Sequence, residues 1–286
     1  MTELQILYET EDFMFVYKPP YQVCDSVRDF SEYLDTELPD NMKCFQFIIN
    51  IIKYIKQQGN VIGPEYQNGL CHRFDYQTSG ILMITKKPEK FMTCRHMISD
   101  KEKTIKIYCC LVNGIIDKKS GFIINRIYNP STDKNNNVLE TSNDLKNRSL
   151  GMMSASYYQV IKEYEYNGNY YSYVFVRLFT GKKHQIRLHM KSLGTPIVGD
   201  RAYNIQENYE QNMDISRRMF LHNFKLCVVL DNQQICLTAK LPNELKESLN
   251  KLTQINSYEI QELDKLKSPL TKKDMMTTSK KFKYFS

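Results

Sequence analysis

The spacing of apolar and polar residues changes several times along the chain, and each change predicts an element. Near the start, Ile6-Leu7-Tyr8 and Phe13-Met14-Phe15-Val16-Tyr17 flank the polar stretch Glu9-Thr10-Glu11-Asp12 and stop at Lys18-Pro19-Pro20, the pattern of a β-hairpin. Between positions 45 and 57, Phe45, Ile48, Ile49, Ile52 and Ile55 recur at helical spacing and predict an amphipathic helix. Ile81-Leu82-Met83-Ile84-Thr85 reads as a strand. Thr104 to Gly114 alternates as another, with Lys106, Tyr108, Cys110 and Val112 on one face. Ser154 to Phe179 reads as a long hairpin turning at Asn167-Gly168, a dipeptide that accepts the positive φ angles of a two-residue turn. Its second arm points Val174, Val176 and Leu178 inward, and Thr180-Gly181 ends it. Positions 182 to 194, KKHQIRLHMKSLG, read as a helix with Ile186, Met190 and Leu193 on one face and Gly194 as its C-cap. The polar, Asn-rich stretch from Asp133 to Arg148 predicts a mobile loop, and no internal repeat is present. Strands outnumber helices and neighbours pair as hairpins, so the expected fold class is α+β, with a largely antiparallel mixed sheet and flanking helices.

Composition narrows the class. A chain of 286 residues that is 42% apolar can bury a sizeable core. Of its formal charge of +7, the stretch Lys265 to Ser286 supplies +6, from seven Lys and one Asp. The body is therefore close to neutral, and a nucleic-acid surface on it has to be a local patch rather than a global field. The opening MTELQILYETED lacks a basic region followed by an apolar core, and no apolar run reaches membrane-spanning length. Eight cysteines occur without CxxC spacing, and adjacent Cys109 and Cys110 point to opposite faces of a strand. The expectation is a reduced, cytoplasmic protein with buried thiols, and no membrane association.

Two short segments carry chemistry. In HRFDYQTSG, at positions 72 to 80, Asp75 stands between Arg73 and a Thr78-Ser79-Gly80 turn that leads into a strand. A carboxylate on the lip of a strand, with a cation two residues away, suits a nucleophile or base. In TGKKHQIRLH, at positions 180 to 189, a helix N-terminus gathers His184, Gln185 and Arg187, with Lys182 just ahead, a natural place for a carboxylate or phosphate. An Arg187 fork on Asp75 would fix the rotamer of the carboxylate and favour its ionised form.

These segments, the strand IKIYCCLVNG, the block LFTGKKHQIRLHMKSLGTPIVGDRAY at 178 to 203, MFLHNFKL at 219 to 226 and the opening ILYETEDFMFVYKPP resemble RluA-type pseudouridine synthases in order and separation, over roughly positions 5 to 245. The resemblance implies the pseudouridine synthase fold with a central RNA-binding cleft, and isomerisation of uridine to pseudouridine in RNA, ribosomal or transfer, with no cofactor and no metal. By the same match Asp75 is the catalytic aspartate, Tyr108 stacks on the uracil and helps remove its C5 proton, and Arg187 pairs with Asp75. Arg73 fills the gap left by the flipped nucleotide, while Lys182, His184 and Gln185 contact the substrate. Residues 1–262 would form the catalytic domain with no separate N-terminal RNA-binding module, and 263–286 a basic, flexible tail. No obligate protein partner is implied, and a monomer is the simple expectation. The chain departs from the family pattern at Lys182, where Arg is usual, at Pro20-Tyr21 and at Asn204, positions that shape loops and substrate choice.

Plainer readings stand beside each assignment. An Asp before Thr-Ser-Gly is commonly a turn residue bonding its own backbone. Tyr108 is one of 20 tyrosines and suits strand packing, and Arg187 suits a helix surface. His184 and His189 lie about 140° apart around a helix, off one face, so both read as structural rather than as metal ligands, as does His72. The tail reads first as a solvated end, although Phe282, Tyr284 and Phe285 among its lysines suit base stacking. A catalytically idle RNA-binding paralogue would be marked by loss of Asp75, Tyr108 or Arg187, and all three are present. A glycosidase would need a second carboxylate facing Asp75, and no motif supplies one.

Overall fold

The structure, a computed structural model, describes residues 4–24, 27–131 and 138–270. In chain order its elements are β1 (Ile6–Glu9), β2 (Phe13–Lys18), α1 (Gln46–Gln57), β3 (Ser79–Thr85), α2 (Phe91–Ser99), β4 (Ile105–Asn113), β5 (Ser120–Tyr128), β6 (Glu140–Ser142), β7 (Met152–Tyr166) and β8 (Asn169–Leu178). They continue with α3 (Gln185–Ser192), α4 (Gln206–Asn212), β9 (Leu221–Leu230), β10 (Gln233–Thr238), α5 (Asn243–Asn250) and β11 (Thr253–Ser257), an α+β mixture. The chain packs as two compact units, Met1–Lys106 with His222–Lys240, and Ile107–Leu221 with Leu241–Ser286. Among the described residues no helix is long and apolar enough to cross a membrane.

In the first unit the expected opening hairpin is β1 against β2, pairing Ile6 with Val16 and Glu9 with Met14. β2 runs antiparallel to β3 along its whole length, and β10 runs antiparallel to β9. β3 and β9 are parallel where Ser79 faces His222 and Gly80 faces Asn223. That register brings two backbones together at Gly80, whose φ is +134°, and a Cβ there would overlap the Asn223 backbone. Phe13, Phe15, Ile81, Met83, Leu226 and Val228 pack on Cys94 and Ile98 of α2, while Met14, Val16, Leu82 and Ile84 are inaccessible on the opposite face. Burial of both faces explains why β2 and β3 read as apolar runs rather than alternating strands.

Helix α1 lies where its periodicity places it but buries Phe47, Ile48, Ile49, Ile51 and Ile55, so Phe47 and Ile51 replace Phe45 and Ile52 in the stripe. Phe45 belongs instead to a 3-10 turn ahead of the helix, with its ring 5.4 Å from Phe30 and beneath the Arg28 guanidinium. Four of the cysteines expected as thiols are paired, Cys71 with Cys94 and Cys227 with Cys236. The first bond joins the segment entering β3 to α2, two pieces that share one core. The second joins residues directly opposite across β9 and β10, whose turn at Asp231-Asn232 has positive φ at both positions. Cys24, Cys44, Cys109 and Cys110 remain thiols, and burial pushes Cys109 up to about 12.

In the second unit β7 and β8 form the expected hairpin, with Asn167 and Gly168 at φ 51° and 78°. Val174 and Val176 are fully buried, whereas Leu178, expected inward, is half-buried. β5 pairs with β7, β11 with the outer part of β7, and β4 lies beside β8. The stretch expected as a mobile loop contains β6, which pairs Glu140, Thr141 and Ser142 with Tyr128, Ile127 and Arg126. Arg126 fastens the return of the chain by donating to the carbonyls of Leu145 and Gly151. Residues 132–137 of that region lie outside the described residues. Arg177 donates from Nη1 to the carbonyls of Leu263 and Asp264, at the start of the expected tail; residues 271–286 also lie outside the described residues.

Helix α3 packs its polar side inward through His189, whose Nε2 lies 2.9 Å from Ser154 Oγ and 3.0 Å from Asn125 Oδ1. The Asn125 oxygen only accepts, so Nε2 carries the proton. Burial pushes His189 down from 6.5 to about 3. The folded state therefore keeps it neutral, and the unfolded chain binds a proton below pH 6.5 that the folded chain refuses until about pH 3. Its contribution is fully present above that window and is lost as pH falls through it, by up to about 1.4 kcal/mol per unit. Denaturant unfolding at a series of pH values should show a stability slope about one proton steeper in the unmodified chain than in His189→Gln, and equal slopes would remove this assignment.

Candidate functional site

In the first unit the HRFDYQTSG segment crosses from a turn into β3. The Thr78 N–H donates to the Asp75 carbonyl at 3.0 Å, so the turn is Asp75 to Thr78. Ser79 and Gly80, expected inside the turn, already belong to the strand, because they are the residues paired with β9. Asp75 is half-buried and Arg73 exposed. Lys18, at the end of β2, is fully buried, and its Nζ donates to the carbonyls of Thr78 at 2.7 Å, Pro19 at 3.0 Å and Tyr76 at 3.3 Å. Three ammonium N–H groups meet three oxygens, which is what makes burial of a lysine tolerable. The Tyr21 N–H donates to the same Tyr76 carbonyl, and the rings of Tyr21 and Tyr76 meet edge to face.

The motif is supported from several sides within this unit. Ser79 Oγ lies 2.9 Å from His222 Nδ1, and His222 Nε2 faces the Ala239 carbonyl, so Nε2 holds the proton and Ser79 donates. His72 accepts the Met83 N–H at Nε2, and burial, with Lys106 and Lys101 nearby, holds it well below its usual range, the neutral structural histidine expected. Cys24 sits against the Phe74 backbone near Lys18, Arg73 and Asp75, and burial raises its thiol. The result is a carboxylate displayed from a turn whose backbone is gripped from within. A groove of about 510 Å³ between α2 and the β9–β10 turn, lined by His96, Met97, Asp100 and Asp231 among others, contains none of the motif residues.

In the second unit Tyr108 lies on β4 and is 6% exposed, in a strand buried on both faces from Ile105 to Val112. The predicted alternation is therefore one of direction and not of exposure. Helix α3 starts at Gln185, with His184 ahead of it at φ 57°. Gln185 is buried, and its Oε1 accepts from Thr180 Oγ1 and the Lys182 N–H while its Nε2 donates to the Ala155 carbonyl and Ser156 Oγ. All four bonds of the amide shape the 180–184 turn. His184 Nδ1 lies 2.8 Å from the Tyr203 hydroxyl, and burial lowers Lys182. Arg187 donates from Nε and Nη2 to Asp200 at 2.7 and 2.9 Å, a two-point pair, and its guanidinium lies 4.8 Å over the Tyr203 ring. Asp200 also accepts the Ala202 N–H.

Sequence reasoning missed two of these groups. Lys18 read only as the end of a hairpin, and its signal was a lysine closing a strand with no exposed face. Asp200 read only as part of a long matching block. The measurement that checks the Lys18 grip is unfolding of Lys18→Met, which keeps the stem but strands three carbonyls. A loss of about 3 kcal/mol or more is expected, and a loss below about 1 kcal/mol would show that water replaces the ammonium.

Comparison with known proteins fits this construction. Residues 54–192 match the sequence profile of the RNA pseudouridylate synthases. The ribosomal large subunit pseudouridine synthase C of Rickettsia conorii is 32% identical over 200 residues, covering 68% of this chain and 58% of that protein. An uncharacterized RNA pseudouridine synthase of Aquifex aeolicus is 28% identical over 205 residues, covering 72% of this chain and 57% of the relative. The chain thus spans under three fifths of the length of these curated relatives. With the ribosomal large subunit pseudouridine synthase D of Buchnera aphidicola the match extends over 87% of this chain and 73% of the relative, at 26% identity. The solved structure of human RNA pseudouridylate synthase domain containing 1 shares the fold, with a TM-score of 0.66 at 22% identity and 92% coverage of each chain. Ordered motifs, matching sequence and shared fold together place the chain, which belongs to the RluA-type pseudouridine synthase family.

Proposed function

We propose that this protein is an RNA pseudouridine synthase that isomerises uridine to pseudouridine in structured ribosomal or transfer RNA, with neither cofactor nor metal. The observation that carries the reading is the presentation of Asp75, on a turn whose carbonyls are held by buried Lys18 and which opens into a fully buried strand. A nucleophile or base gains from being held in one geometry before substrate arrives. The names of the relatives, ribosomal large subunit pseudouridine synthases among them, support RNA as substrate.

In this reading the target uridine leaves its stack, because the reacting atoms are out of reach inside a helix. Asp75 acts on the ribose, by attack on C1′ or by removal of the 2′ proton, and the C1′–N1 bond breaks. The uracil turns in place and C5 bonds to C1′, which breaks the Asp75–C1′ bond on the first route or lets Asp75 return its proton to C2′ on the second, while N1 takes a proton and C5 gives one up. Tyr108 offers an aromatic face to the base and a phenol for the C5 proton, and Arg187 pairs with Asp75. Arg73 occupies the space vacated by the base, while Lys182 and His184 contact backbone phosphates as point charge and donor. Gln185 serves by holding the turn that carries them. The reading places the enzyme in the cytoplasm as a monomer.

Pseudouridine mapping of total RNA after incubation with the purified protein, in parallel with Asp75→Asn, tests the reaction. New sites should form with the unmodified chain, at a rate at least about a thousandfold above the variant, or about 4 kcal/mol of barrier. Absence of new sites in every RNA pool, together with salt-sensitive RNA binding, would identify an idle RNA-binding paralogue instead.

A further inference from the structure

Tyr21, one of the departures from the family pattern, takes a φ of 62°, the left-handed conformation that favours glycine. A bulky side chain there costs backbone energy, and burial does not offset it, because Tyr21 is 40% exposed. The residue is nonetheless firmly placed within the first unit. Its N–H donates to the Tyr76 carbonyl at 2.8 Å, the oxygen that Lys18 also holds. Just after it, the Val23 N–H donates to the Cys44 carbonyl, and Gln22 Oε1 accepts the Phe47 N–H at the start of α1. Tyr76, the residue after Asp75, is 45% exposed, and its ring centroid lies 5.7 Å from that of Tyr21 at an interplanar angle of 70°. Such an edge-to-face contact uses one ring edge and one ring face, so a large part of the aromatic surface of the pair still reaches water.

We propose that Tyr76 and Tyr21 form an aromatic platform on which an unpaired base flanking the target uridine stacks, a positioning role that rests on the RNA-modifying reading above. Consecutive Cα atoms lie about 3.8 Å apart. A strand whose target ribose meets Asp75 therefore carries a neighbouring nucleotide past Tyr76. RNA is read mainly where bases are splayed out of their helix, and a splayed base gains from an aromatic face whatever its sequence. The hydrogen bonds that fix both backbones prepare the pair before RNA arrives, so little side-chain freedom is lost on binding. A small residue at position 21 would make the same turn without strain, and an exposed aromatic ring there is explained by a ligand outside the fold. Both rings are anchored to the turn that displays Asp75, so a base held by them fixes the register of the RNA at the reacting ribose.

The test is equilibrium binding of total ribosomal RNA across a salt series, with unmodified protein, Tyr76→Leu, Tyr76→Phe, Tyr21→Leu and Tyr21→Phe, each verified as folded by thermal melting. Tyr76→Leu should weaken binding roughly tenfold, as loss of one stacked base requires, and leave the slope of log K against log salt unchanged, because no phosphate contact is removed. Tyr21→Leu should act in the same direction, and each Phe variant, which keeps a ring, should bind within about twofold of the unmodified chain. The chain contains no tryptophan, so Tyr76→Trp introduces a single fluorophore, and RNA should quench it well beyond its effect on free tryptophan amide. At mapped sites Tyr76→Leu should raise KM with kcat changed less than about twofold. Unchanged affinity in both Leu variants and an unquenched Tyr76→Trp, beside firm binding by the unmodified chain, would overturn the platform alone. Failure of the unmodified protein to bind RNA would overturn the RNA reading and the platform with it, whereas binding without pseudouridine formation, still weakened in Tyr76→Leu at an unchanged slope, would support the platform and reject only the activity.

Discussion

A lysine with no access to water needs a partner for each of its three N–H groups, and Lys18 finds them in the carbonyls of Pro19, Tyr76 and Thr78. That requirement fixes the path of the backbone just after Asp75. Two of these carbonyls, of Tyr76 and Thr78, turned inward toward one nitrogen leave few routes for the chain between Asp75 and Ser79, and β3 begins at once with its hydrogen bonds committed to β2 and β9. The display of Asp75 is thus a by-product of satisfying a buried cation at the end of β2, the strand that precedes it in sequence. Burial of both faces of β2 and β3 supplies the dry surroundings that keep the three bonds strong.

The second unit solves a similar problem with different chemistry. Arg187, Gln185 and His189 lie within five positions of α3, and all three are buried. Each faces a partner supplied by a distant segment: Asp200 for Arg187, Ala155 and Ser156 for Gln185, Ser154 and Asn125 for His189. A helix with so polar an inner side is held by specific bonds rather than by apolar area, and its position is correspondingly exact in register with β5 and β7.

Much of this was legible from local signals. Asn167-Gly168 requires positive φ and marks its hairpin, Gly194 ends α3 as expected, and the ordered motifs point to the family before any fold is drawn. The misses share a cause, which is that the deciding partner lies far away. Nothing in Phe45 itself says that it will stack beneath Arg28 and leave the helical stripe, and nothing in Glu140-Thr141-Ser142 says that Arg126 will draw it into a strand. Cys227 and Cys236 could have been read as cross-strand neighbours, since both stand four residues from the Asp231-Asn232 turn; Cys71 and Cys94, on either side of β3, could not. Lys18 and Asp200 are polar residues whose roles depend on burial, a property that composition does not carry.

The parallel register of β3 with β9 joins residues 143 positions apart, Ser79 and His222. On a ribosome, β3 therefore emerges with β2 on one side and the 70–72 segment at Met83 and Ile84 on the other, while its Ser79-Gly80 end stays unpaired until β9 is made. Its sequence, Ile81-Leu82-Met83-Ile84, is an apolar strand of the kind that recruits foreign edges. The segment that displays Asp75 should hence stay incomplete after the rest of residues 1–106 has paired, and depend on chaperones until β9 has been made.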